Sequence, residues 1–153
     1  MDRHEREGDL MASLKVTGMD EVEKMFDELM DVKKLAVKAV DKAAPILLDG
    51  AKKSVRAAAD KGYATGGLEN SFTATKAKNN QWGTFATVRP VGTDKNGIRY
   101  GERAAYLEYG TVVNGVVHTA SAQWRKKAVD SVRTKCEDTM EKVLRDEWEK
   151  IGG

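Results

Sequence analysis

The chain has 153 residues, 41% of them hydrophobic, which suits one domain with one core and leaves little for a second. Its 26 Lys and Arg stand against 24 Asp and Glu, and the resulting charge of +2 is too slight to make nucleic acid the default partner. A lone cysteine, Cys136, excludes an internal disulfide, and with only His4 and His118 beside it no Cys/His zinc site can be assembled.

Met1 to Leu10 carries Asp2, Arg3, His4, Glu5, Arg6, Glu7 and Asp9 around Gly8, with almost nothing apolar. Residues 1–12 are therefore expected to be a disordered tail, or a vector-derived remnant ahead of a start at Met11, and residues 13–150 a single α+β domain. No apolar run approaches the roughly 20 residues of a membrane helix, and no signal-peptide core precedes the domain, so a soluble protein made in the cytoplasm without a membrane partner is expected.

Leu14, Lys15 and Val16 suggest a short edge strand, with Thr17 or Gly18 capping the helix that follows and Asp20, Glu21 and Glu23 crowding its first turns. Val22, Met25, Phe26, Leu29 and Val32 recur at three- or four-residue steps, and the stripe continues through Ala36, Ala39, Val40, Ala43, Leu47, Ala51 and Val55. Asp60-Lys61-Gly62 should end it, giving about forty helical residues, long for a small domain. Pro45 predicts a kink or break within it. The alanine-rich face from Ala36 to Ala59 permits close approach of another helix, read first as packing within the chain.

After Gly62 the texture turns to β. Phe72 to Lys78 alternates and is rich in threonine, Asn79-Asn80 suits a two-residue turn, and Gln81 to Val91 supplies the returning strand. Gly92 to Gly97 is a turn-rich loop, Ile98 to Tyr100 resumes an extended path, and Ala104 to Glu108 suits a short helical turn closed by Gly110. Val112 to Val117 is a β-branched ribbon broken by Asn114-Gly115. Thr119 or Ser121 then caps a last helix, along which Trp124, Ala128, Val129, Val132, Cys136, Met140, Val143, Leu144 and Trp148 keep helical spacing; Cys136 falls among its core positions. The order predicts an α+β fold: a long, kinked N-terminal helix, a small antiparallel sheet, and a long C-terminal helix packed on it.

Chemistry-bearing patterns are sparse. His118 is the one histidine beyond the N-terminal segment, and no Gly-x-Ser-x-Gly elbow accompanies it, so a structural or exposed side chain is favoured over a catalytic one. Glu102 and Glu108 form the only carboxylate pair tempting for glycosidase-like work. Gly66-Gly67 lacks the context of a phosphate loop, and the acids of Asp27 to Asp31 and of the Asp94 loop lack calcium-loop spacing. No catalytic, cofactor or metal residues are assigned. Basic residues at Lys33, Lys34, Lys38, Lys42, Lys52, Lys53 and Arg56, and at Arg125, Lys126 and Lys127 beside Trp124, read first as solvated faces and second as a DNA contact.

Three stretches recur in a known order. Leu14-Lys15-Val16-Thr17-Gly18-Met19-Asp20-Glu21-Val22 opens the chain, Thr65-Gly66-Gly67-Leu68-Glu69-Asn70-Ser71-Phe72 follows the long helix, and Ala104-Ala105-Tyr106-Leu107-Glu108-Tyr109-Gly110-Thr111 precedes the last one. Together with the closing helix they resemble the small tail-completion, head–tail joining or neck proteins of long-tailed double-stranded-DNA phages. The chain departs from that pattern at Arg103, where Tyr is frequent, at Phe72, where Ile or Val is frequent, and at Gln123-Trp124, which replaces a Pro-Phe pair while keeping an aromatic anchor.

The resemblance implies a non-enzymatic virion structural protein, present in the host cytoplasm during assembly and in the neck or tail afterwards. By the same resemblance it forms a ring homo-oligomer, a hexamer, that completes the tail and meets tail-tube and head-connector proteins, with DNA at most as passing cargo. Thr65, Gly66, Leu68, Tyr106, Glu108, Tyr109, Gly110, Thr111 and Trp124 carry the motif. Glu108 is read as a structural acceptor of backbone amide or arginine hydrogen bonds ahead of a direct contact with a neighbouring subunit. Thr93, Asp94, Lys95, Asn96 and Gly97 form a candidate partner-contact loop, expected to be mobile alone and ordered by a partner. A small DNA-binding or regulatory protein is the alternative, and a hydrolase around His118 and Glu108 the least favoured.

Overall fold

Helix α1 (Arg3–Ala59) leads into the short helix α2 (Gly67–Ser71), strands β1 (Phe72–Ala74), β2 (Lys78–Asn80), β3 (Gly83–Phe85) and β4 (Val88–Pro90), helix α3 (Tyr100–Tyr109), strands β5 (Thr111–Val113) and β6 (Val116–Thr119), and helix α4 (Trp124–Ile151). This computed structural model describes residues 3–59 and 66–151, and its class is α+β. Thr65 and the expected Asp60-Lys61-Gly62 stop lie outside the described residues.

The chain divides into two units, Met1–Leu35 and Ala36–Gly153, each described by itself. In the first, the backbone is helical from Arg3 onward, so residues 3–12 are helix where composition suggests a disordered tail. Leu14–Val16 are likewise helical and not an edge strand. A strand needs a neighbour to complete its hydrogen bonds, whereas a helix completes them within its own segment.

In the second unit, the part of α1 from Ala36 runs unbroken through Pro45, so of the expected kink or break the break is absent. The proline removes one bond to the Asp41 carbonyl, but Ala39, Ala43 and Ala44 before it and Ala51 and Val55 after it are all buried, so packing on both sides holds the helix through the defect. The core gathers Ala51, Val55, Phe72, Ala104, Trp124 and Ala128, with Leu48, Leu68, Val88 and Leu107 around them. Phe72, 2% exposed, meets Trp124 edge-on with ring centroids 5.3 Å apart.

The alanine-rich face is used inside the chain, as expected. A methyl group built on Gly50 would lie 2.7 Å from Val132 Cγ1, so α1 and α4 approach there as closely as glycine allows. Ser54 Oγ donates to the Trp124 carbonyl at 2.7 Å, the half-buried Cys136 thiol points at the Ala43 carbonyl, and Lys38 pairs with Glu147. Burial pushes the Cys136 thiol pKa up, which keeps it an uncharged packing group.

Three two-stranded antiparallel ladders replace the single small sheet that was expected. The first two are halves of one long hairpin: β1 pairs β4 with Phe72 opposite Pro90, and β2 pairs β3 with Asn80 opposite Gly83. Its turn is Gln81-Trp82, two residues beyond the expected Asn79-Asn80, because the Asn80 side chain accepts the amides of Trp82 and Gly83 at 2.8 and 3.0 Å and closes the turn from behind. Between the halves the first arm has one extra residue, a bulge that frees an amide. Asp41 on α1 takes up that group, accepting from Ala77 N at 2.7 Å. The third ladder, β5–β6, turns at Asn114-Gly115 with φ of 51° and 77°, the two positive values of a type I′ hairpin turn.

Candidate functional site

Tyr100 to Tyr109 is helical throughout, longer than the expected turn over Ala104 to Glu108 and absorbing Tyr100 from the expected extended segment. It ends where Gly110 N donates to the Tyr106 carbonyl at 2.8 Å. Gly110 adopts φ 75° and ψ 178°, a conformation open in practice only to glycine, and this swings the chain out of α3 into β5.

The signature then works as a joint between α3 and the start of α4. The Trp124 indole, 5% exposed, donates from Nε1 to the Ala104 carbonyl at 2.7 Å, and Ala122 N donates to the Leu107 carbonyl at 2.8 Å. Ser121 Oγ donates to the Glu108 carbonyl, and the Glu108 side chain accepts from Arg125 N through Oε2 at 2.9 Å. Arg125 is the second residue of α4, so Glu108 serves the amide that a capping side chain ordinarily serves and sets a negative charge at the positive helix end. The cap therefore comes from α3, where Thr119 or Ser121 was expected. The local reason is Gln123, which precedes α4 with φ 49° and whose side chain is not a capping type. The Arg125 guanidinium lies 5.5 Å from the Trp124 ring centroid and 5.9 Å from that of Tyr109, closing the outer side of the joint.

The other expected site residues fall around this joint or apart from it. Gly66 precedes α2 with φ 73°, and Leu68 borders the core. Tyr106 is exposed and donates its hydroxyl to Glu102, a bond that raises the phenol pKa. Thr111 opens β5 opposite Thr119. Glu102 and Glu108 thus have separate partners, Tyr106 and Arg125 N, and do not oppose one another across a shared site. His118 is exposed and occupies the irregularity between the Thr111–Thr119 and Val112–Val117 pairs.

The loop from Thr93 to Gly97 is more organised than its composition suggests. Asp94 Oδ1 accepts from Asn96 N at 2.8 Å and Ile98 N at 2.9 Å, Asp94 N donates to the Ile98 carbonyl at 2.8 Å, and Oδ2 holds the Arg103 guanidinium. Desolvation pushes the Asp94 carboxyl up, but the two amides and Arg103 outweigh it and leave its pKa below the ordinary value. The staple depends on Arg103, a position where the resembled family often has Tyr. Beside it lies an open depression of about 490 Å³ lined by Arg89, Val91, Arg99 and Glu102 among others, without a nucleophile–base pair. Among the described residues, no group of three or more His, Cys, Asp and Glu is placed to hold a metal, and no helix is long and apolar enough to cross a membrane.

Sequence reasoning placed the β5–β6 ribbon but did not mark its valines as exposed surface. Val112, Val113, Val116 and Val117 are between 53% and 64% exposed. Val112 with Val117 and Val113 with Val116 form directly opposed pairs on opposite faces, so both faces of the ribbon are apolar. The absence of any polar alternation in Val-Val-Asn-Gly-Val-Val was the available signal.

Comparison with known proteins returns no matching family model, no matching curated protein and no matching solved structure.

Proposed function

We propose that this chain is a structural component of a phage neck or tail end, a protein that acts by oligomerising, completes the tail and joins it to the head connector. The observation that supports this most is the use made of the Ala104–Thr111 signature: its invested groups, the Ala104 and Leu107 carbonyls and the Glu108 carboxylate, all bind the start of α4. A motif spent on fixing one helix against another is what an assembling part needs, since interfaces require rigid presentation. The exposed valine ribbon adds apolar surface of the kind that marks protein contacts. A ring would require two different surfaces on each copy, meeting head to tail with a closing rotation.

The test is genetic and biochemical together. A phage lacking this product should accumulate separate heads and tails, and purified protein should restore joining. Normal virions from the deletion would overturn the reading. The DNA-binding alternative draws on the exposed Lys126 and Lys127 and the basic residues of α1. Retention on DNA that falls steeply with salt, without any effect on head–tail joining, would favour it.

A further inference from the structure

One exposed face of α4 carries a line of alternating charges that runs on into exposed apolar side chains. Lys126, Asp130, Arg133 and Glu137 follow at steps of four, three and four residues, and the same line continues through Glu141 to Leu144 and Trp148. At 100° per residue these positions share one face of the helix. All are exposed; Trp148 is 65% exposed and Leu144, one turn before it, 42%. Lys126 stands in the first turn, where the helix dipole disfavours a cation, and within its own helix only the neighbouring charge of Asp130 four residues on favours it there.

Laid antiparallel against itself, this face is complementary in one register. Lys126 then opposes Glu137 and Asp130 opposes Arg133, each pair occurring twice across a two-fold axis. In that register Trp148 extends past the start of the other copy's α4 by about 13 Å at the 1.5 Å rise per residue. The base of the β5–β6 ribbon lies near the first turn of α4, since Glu108, three residues before Thr111, accepts from Arg125 N.

We propose that this face of α4 docks on the same face of a second copy of the chain, antiparallel, with Lys126–Glu137 and Asp130–Arg133 pairs at its centre and Leu144 and Trp148 reaching toward the partner's valine ribbon. Charge complementarity selects the occupant: the line of four alternating charges meets opposite charges at every position when laid reversed on itself, so a second copy of the chain fits it in register. The contact is isologous and makes a dimer, so it is separate from the head-to-tail contact of a ring and does not depend on the neck reading.

The test uses the full chain and charge reversal. Sedimentation equilibrium should show wild-type self-association to at least a dimer. K126E and E137K should each weaken it by about tenfold or more, because each sets like charges opposite one another twice. The doubly substituted K126E/E137K chain should recover association to within about threefold, and an equimolar mixture of the two single variants should form heterodimers. Thermal melts at low concentration establish that every variant is folded. A strictly monomeric wild type, folded single variants that associate as wild type does, or a folded double variant that fails to recover would each overturn the proposal. Joining of heads to tails is scored separately: intact joining by the non-associating variants shows that joining does not need this contact and leaves both the dimer and the neck reading standing.

Discussion

Replacing Glu108 by alanine removes the carboxylate that accepts Arg125 N at 2.9 Å and leaves the first turn of α4 uncapped. Losing a cap costs about 1 kcal/mol, and losing the negative charge at a helix N-terminus about 0.3–1 kcal/mol more. The full penalty of an orphaned buried amide does not apply, because this bond is on the exposed side and water can reach Arg125 N. The sum is about 1–2 kcal/mol, which for a chain of this size corresponds to a fall in Tm of roughly 2–8 °C. Glu108→Gln keeps an oxygen acceptor and loses only the charge, so it should fall by less than half as much. Thermal melts of the three proteins, with hydrogen exchange at the amides of Arg125 and Lys126, read the effect directly. A Glu108→Ala protein melting within about 1 °C of wild type, or a Gln variant as damaged as the Ala variant, would refute the capping role.

The Gly50 contact predicts the opposite of what helix propensity predicts: Gly50→Ala gains about 1 kcal/mol of propensity but forces the stiff Val132 off its site, so the net change is a loss of about 1 kcal/mol, recovered in part by adding Val132→Ala; a raised Tm for Gly50→Ala alone would mean that α1 and α4 lie farther apart. His118→Ala should change stability by less than about 0.5 kcal/mol and leave head–tail joining intact, as for an ordinary exposed position; loss of joining with an unchanged melt would reopen a ligand or catalytic role for that imidazole. The lowered pKa of Asp94 means that its stabilisation of the loop is present above the ordinary carboxylate pKa and disappears as pH falls through the lowered value, so the Asn96 and Ile98 amide signals should titrate with a midpoint below that of an unperturbed aspartate, and a midpoint at or above it would contradict the staple.

What the sequence made legible follows from range. Helical stripes and the Asn114-Gly115 turn depend on residues close in the chain, while the Trp124 anchor and the acceptor character of Glu108 came with the motif, without the identity of their partners. What it concealed depends on a partner from elsewhere. Asp41 accepting the bulged Ala77 amide, Arg103 closing the Asp94 loop, and a helix cap supplied from α3 are satisfied only once the elements meet. Asn80 misled for a related reason: as a turn former it can sit within a turn or close one from its side chain, and here it does the second. The continuity of α1 through Pro45 was hidden because burial on both sides overrides a local propensity.

The central claim is that the protein works by assembling, and light scattering across a concentration series, alone and with tail tubes of the phage that encodes it, tests that most directly. The account predicts a discrete multiple of the chain mass, formed by the protein alone or on the tube end. A strict monomer at every concentration that never binds a tube would contradict it.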